Sequence, residues 1–105
     1  MDEQRRVAEF LATHDLETDA ASHALDLAAE VGEVAAAVNE STDYESSPET
    51  VAVPTDELGD ALFALLATCE RLDVDAGVAL EESLAKYERR LDATGDPGSG
   101  ATETE

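Results

Sequence analysis

The segment from Thr55 to Cys69 constrains the fold of this chain more than any other. Thr55 follows a proline and is a natural helix N-cap, and the acidic pair Asp56 and Glu57 suits the positive end of a helix dipole. From position 61 to 69 nearly every side chain is apolar or small, so no face is left for water. We therefore predict a helix that Thr55 caps and that is buried on all sides.

Three further helices are predicted from the spacing of apolar residues. They cover residues 2–13, residues 19–39, and a segment that Asp75 caps and that extends to about Leu91. The expected fold is all-α, a four-helix bundle. The inner positions predicted for the last helix are Val78, Leu80, Leu84, Tyr87 and Leu91.

In the remaining segments, apolar residues do not recur at the spacing of a helix or a strand. Residues 40–54 contain two prolines and are predicted to form a loop with at most one short turn. Residues 92–105 are rich in Gly, Thr, Asp and Glu, which predicts a disordered acidic tail after a domain at 1–91. A domain this small buries a modest core, and homo-oligomerisation would complete it.

The charge of the chain excludes several kinds of partner. The 105 residues carry 26 acidic against six basic side chains and a formal charge of -20. Proteins that bind nucleic acid or an anionic membrane need basic groups against the phosphates, so neither partner is expected. The acids are spread over the whole chain, which is typical of a halophilic surface, where salt screens the repulsion.

Cysteine and histidine do not form a metal or disulfide pattern. Cys69 is the only cysteine, so no intrachain disulfide is possible, and a structural thiol is expected. His14 and His23 pair with no cysteine or second histidine at ligand spacing, which favours exposed or capping roles. With no signal-peptide pattern and no apolar run of ~18 residues, we expect a cytoplasmic protein.

The second predicted helix carries a row of acids beside its apolar stripe. Asp26, Glu30 and Glu33 share one sector of the helix. A solvated face is the simpler interpretation of such a row, but these acids border the apolar stripe and do not oppose it. Gly32 in mid-helix costs about 1 kcal/mol relative to alanine. That cost suggests that another group approaches closely at this point.

An acidic pair spaced i to i+3, with glycine before the second acid, occurs twice. The pairs are Glu30 with Glu33 and Glu57 with Asp60, with 23 residues between them. If the second and third helices pack antiparallel, the four carboxylates converge. Each pair of like charges about 4 Å apart repels by ~4 kcal/mol at an effective dielectric of 20, so cations are needed. All-oxygen ligation favours Mg²⁺ or Mn²⁺, and such ions suit phosphate chemistry.

Basic residues are concentrated at the end of the last helix. Lys86, Arg89 and Arg90 are half of the basic side chains and fall within five positions. They either complement the negative helix terminus or bind an anionic ligand.

Together these segments resemble the MazG-like nucleotide pyrophosphohydrolases, a branch of the all-α NTP pyrophosphatase superfamily. The similar segments are 27–34, 56–63 and 86–90, in the right order. The resemblance implies hydrolysis of a nucleoside triphosphate to the monophosphate and pyrophosphate, in a homodimer or a tetramer of dimers. It also implies a Mg²⁺ site and contacts to the substrate phosphates. The implied metal ligands and catalytic residues are Glu30, Glu33, Glu57 and Asp60, and the implied phosphate contacts are Lys86 and one of Arg89 or Arg90.

Two positions depart from the family pattern. Ala29 stands where a further Glu is frequent, and Leu84 stands where Asn is common. The first leaves the four ligand positions intact, whereas the second puts the substrate contacts in doubt. Two alternatives therefore stay open: a phosphoribosyl-ATP pyrophosphohydrolase, and a non-catalytic helical dimer that senses nucleotides or binds a partner protein.

Overall fold

The computed structural model describes residues 1–98, which form four α-helices and no strand. The all-helical prediction is confirmed. Over the described residues, none of the helices combines the length and the apolar content that a membrane span requires. The helices are α1 (Asp2–Thr13), α2 (Ala20–Ser41), α3 (Thr55–Arg71) and α4 (Ala76–Thr94), and a 3₁₀ turn (Pro48–Thr50) lies between α2 and α3.

Aspartate side chains cap the start of α2 and of α4. Asp19 accepts a hydrogen bond from the Ser22 amide at 2.7 Å, and Asp75 accepts one from the Val78 amide at 3.0 Å. These backbone hydrogen bonds to the charged form are the main reason that the pKa of each carboxyl lies below its ordinary value. The predicted cap at Asp75 is confirmed.

The predicted cap of α3 is wrong by one residue. Pro54 is the N-cap, its carbonyl accepts hydrogen bonds from the Glu57 and Leu58 amides, and Thr55 is the first helical residue. No side chain caps this end. Pro54 has the extended conformation of an N-cap residue, with a ψ of 142°. The residue after it, Thr55, is therefore already helical and cannot be the cap.

The core lies where α3 packs against α2 and α1. Its buried apolar side chains are Leu11 of α1 and Ala64, Leu66 and Ala67 of α3. Gln4 ties α1 to the turn before α4: its Nε2 donates to the Val74 carbonyl at 2.8 Å, and its Oε1 accepts from the Ala76 amide at 2.7 Å. The core is therefore small, as expected for a chain of this length.

Two predicted buried surfaces are exposed in the single chain. α3 buries one side only, and Leu58, Leu62 and Leu65 on its other side are exposed. The five predicted inner positions of α4 are 40–56% exposed, because α4 is held mainly at its first turn and extends past the core. The apolar pattern was recognised correctly, but no other part of residues 1–98 covers it.

The C-terminal boundary also differs from the prediction. α4 continues to Thr94, and Gly95 ends it with a left-handed φ of 76° and an amide that donates to the Leu91 carbonyl at 2.9 Å. Residues 92–94 are thus helical and do not belong to a disordered tail. Residues 99–105 of the predicted tail lie outside the described residues.

Candidate metal centre

Three of the four predicted metal ligands converge where α2 crosses the first turns of α3. Glu30 of α2 and Glu57 and Asp60 of α3 each offer a carboxylate oxygen, and the three oxygens lie within 4.8 Å of one another. Glu57 and Asp60 share a helix face because they are three residues apart. Glu30 and Glu57 are half-buried, and Asp60 is exposed. The predicted gathering of acids is therefore present for these three residues, which we call the carboxylate triad.

Glu33 lies outside the triad but affects it. The pKa of Glu57 is raised, first because partial burial disfavours its charged form, and next because of the negative charge of Glu33. Asp56, Asp60 and Glu30 add to the same effect. The triad therefore carries more negative charge than its surroundings stabilise, and a bound cation would remove that imbalance.

The donor set fits a hard divalent cation. It consists of carboxylate oxygens alone, which suits Mg²⁺ or Mn²⁺ rather than zinc or copper. Three protein oxygens leave further coordination positions of a six-coordinate ion for water and phosphate oxygens. The identity of the ion remains a prediction.

No group of the described chain approaches Gly32 closely, so the predicted approach of another group stays a prediction. A Cβ atom built at Gly32 or at Gly59 would meet no heavy atom within 4 Å among the described residues. Each glycine directly precedes an acid of the predicted set.

The basic residues of α4 are not among the charges that shift the pKa of Glu57, all of which are acidic. Lys86 and Arg89 line a cavity that only α4 residues form. The Lys86 ammonium lies 5.1 Å from the centre of the Tyr87 ring, and Arg90 donates to the Pro97 carbonyl at 3.2 Å. Their contact with substrate phosphates stays a prediction.

A buried histidine beside the triad was missed. His14 is exposed, as expected, and its ring centre lies 4.5 Å from that of Phe10 with the two rings tilted by 51°. His23, however, is only 6% exposed, and the exposed or capping role predicted for it is wrong. His23 lies three residues before Asp26 and seven before Glu30, which places all three on one face of α2, but this spacing alone does not indicate burial.

Comparison with protein families gives one match. The family model of the MazG nucleotide pyrophosphohydrolase domain matches residues 19–94, a range that contains the triad, Glu33 and the basic end of α4. Neither the curated proteins nor the solved structures contain a match. Since the match covers most of the chain and includes every predicted site residue, the chain belongs to the MazG nucleotide pyrophosphohydrolase family.

Proposed function

We propose that this protein hydrolyses a nucleoside triphosphate to the nucleoside monophosphate and pyrophosphate, with Mg²⁺ or Mn²⁺ as cofactor. The observation that supports this most is the carboxylate triad, three oxygens within 4.8 Å inside the matched domain. Removal of non-standard or excess nucleotides is a role that suits such an activity.

Each side chain of the site has a proposed role. Glu30, Glu57 and Asp60 would hold the cation, and Glu33 would complete the ligand set beside Glu57. When bound, the cation supplies electrophilic activation of the phosphate chain and offsets the charge of the leaving pyrophosphate. The carboxylates would fix the position of the cation on the surface between α2 and α3. Lys86 and one of Arg89 or Arg90 would contact the phosphates.

We also propose that the protein is a homodimer or a tetramer made of two dimers. α3 and α4 each expose a row of large apolar side chains, the kind of surface that a second copy of the chain would cover. In such an assembly, α4 of one copy can bring its basic end to the triad of another copy. Such an arrangement would supply the positive charge that the surroundings of Glu57 lack within one chain.

The activity is tested by following pyrophosphate release from a panel of canonical and damaged triphosphates, in high salt with Mg²⁺. We expect one pyrophosphate per nucleotide, no release of single phosphate, and full loss of turnover when EDTA removes the metal. Phosphoribosyl-ATP belongs in the panel, because a strong preference for it would assign the protein to histidine biosynthesis. No pyrophosphate from any compound would contradict the proposal. Calorimetry would then show whether nucleotides bind without being cleaved, as a sensor requires.

We further propose that the protein works in a high-salt cytoplasm, and this predicts how salt affects its stability. With a formal charge of -20 the folded chain repels itself, and screening at a Debye length of about 3 Å in 1 M salt weakens that repulsion. The midpoint of thermal unfolding should rise by more than 10 °C, on the order of 2 kcal/mol for this size, between 0.1 and 2 M KCl. Circular dichroism measures it, with sucrose as the uncharged control. A midpoint that is unchanged or falls with KCl would contradict the halophilic interpretation.

A further inference from the structure

A buried glutamine links the first helix of the chain to the last. Gln4 of α1 is only 8% exposed, and its side-chain amide bonds to residues that lie 66 to 72 positions further along the chain. Its Nε2 donates to the Val74 carbonyl at 2.8 Å and to the Glu70 carboxylate at 3.2 Å. Its Oε1 accepts from the Ala76 amide at 2.7 Å. Both polar atoms of this side chain are therefore paired.

These hydrogen bonds join the parts of the chain that set the direction of α4. Glu70 lies in the last turn of α3, Val74 lies in the connecting turn, and Ala76 is the first residue of α4. The first N–H groups of a helix have no partner within the helix, and Gln4 supplies one for the Ala76 N–H. The predicted inner positions of α4 stay 40–56% exposed, so packing along the helix adds little to this anchor. The amide of Gln4 therefore holds the angle at which α4 leaves the core.

A change of that angle would displace the basic end of α4. Lys86 lies ten residues after Ala76, which is about 15 Å along a helix. Turning α4 by about 20° would move Lys86 by roughly 5 Å, further than a hydrogen bond to a phosphate oxygen reaches. The carboxylate triad would stay in place, because its residues lie on α2 and α3. The contact between α4 and the phosphates thus depends on how α4 is anchored.

We propose that Gln4 is a positioning residue for substrate binding, because its buried amide fixes where Lys86 and Arg89 lie relative to the phosphates that the triad binds. This inference rests on the proposed function. The family match begins at residue 19, so it assigns no role to Gln4. The triad can belong to the same chain or to a second copy, since the direction of α4 decides the reach of its basic end in both cases.

Gln4→Met tests the proposal in the full-length protein. Methionine has a similar length but no group that bonds to the Ala76 amide or the Val74 carbonyl. We expect KM for the nucleoside triphosphate to rise by about 10- to 100-fold, because misplaced groups bind the phosphates poorly. The value of kcat should change little, and Mn²⁺ affinity measured by calorimetry should equal that of the wild type, because no residue of the triad is changed.

Thr42→Val is the matched control, since it also removes buried hydrogen bonds. Thr42 is 3% exposed at the end of α2, and its hydroxyl donates to the Val38 carbonyl at 2.7 Å and accepts from the Glu45 amide at 3.0 Å. Both variants should lower the midpoint of thermal unfolding. Only Gln4→Met should raise KM. An equal rise of KM in both variants would trace the effect to lost stability and would overturn the proposal.

Electron paramagnetic resonance measures the direction of α4 without turnover. Nitroxide labels at Ala24→Cys on α2 and Glu88→Cys on α4, in a Cys69→Ser background, report the distance between these two helices. Both labelled positions are exposed, and dilution with unlabelled protein removes distances between copies. The chain with Gln4 should give one narrow distance distribution. Gln4→Met should broaden or shift it by several Å, because α4 loses its anchor.

The two measurements together decide the inference. An unchanged distance distribution in Gln4→Met, or a changed one with the KM of the wild type, would overturn it. If the wild type cleaved no triphosphate, the proposed function would fail, and calorimetry of nucleotide binding with Mg²⁺ would replace KM. Weaker nucleotide binding by Gln4→Met would then still support the role of Gln4. No nucleotide binding by the wild type would overturn that role as well.

Discussion

Asp60→Asn is expected to lower pyrophosphate release by about 10²- to 10³-fold, comparable to the loss of one essential electrostatic group in other active sites. The substitution keeps the size of the side chain but removes one negative charge and weakens one of the three converging oxygen donors. Affinity for the divalent cation should fall as well, because hard cations bind anionic carboxylate more strongly than a neutral amide. Steady-state kinetics and Mn²⁺ titration calorimetry measure the two effects.

Asp56→Asn is the matched control for this variant. It lies on the same helix, four residues earlier, and changes the net charge by the same amount, but its carboxylate is not part of the triad. It should keep most of the activity and of the Mn²⁺ affinity. Glu33→Gln should be inactive if Glu33 completes the ligand set. If Asp60→Asn retained full activity at wild-type metal affinity, the triad would not be the catalytic centre.

The helices and the meeting of three acids could be predicted because both depend on local spacing. Apolar residues at helical intervals identified four helices, and two acidic pairs on antiparallel helices identified Glu30, Glu57 and Asp60. Periodicity states which side of a helix is apolar, but not which chain covers it. For that reason the exposed leucines of α3 and α4 were predicted to be buried.

The burial of His23 could not be predicted from its own neighbourhood in the sequence. A single histidine among mostly small residues does not indicate whether that side of the helix contacts water or another helix. Burial arises because Phe63 and Ala64, forty residues further along, lie opposite it across the α2–α3 contact. Contacts between residues so distant in the chain are set by the packing of the two helices, which local spacing does not encode.

Leu80→Asp is expected to convert an assembled protein into a monomer. Leu80, Leu84, Tyr87 and Leu91 follow one another at spacings of four, three and four residues, so they form one continuous stripe on α4 that is 40–52% exposed in the single chain. A carboxylate placed in a stripe that a second copy covers would be buried without a partner. Burying this unpaired carboxylate should cost about 3 kcal/mol of association free energy. That cost corresponds to a rise of roughly 100-fold in the constant for dissociation of the two copies.

Sedimentation equilibrium in 2 M KCl measures the change. The wild type should have two or four times the mass of the 11.1 kDa chain, and Leu80→Asp should approach 11.1 kDa at the same concentration. Leu16→Asp makes the same substitution at an exposed leucine between α1 and α2 and should leave the mass unchanged. Activity should fall together with mass, because within one chain no basic side chain is among the charges that act on Glu57. A wild-type mass of 11.1 kDa with full turnover would show that a single chain brings Lys86 to the substrate by moving α4, and that no second copy is needed.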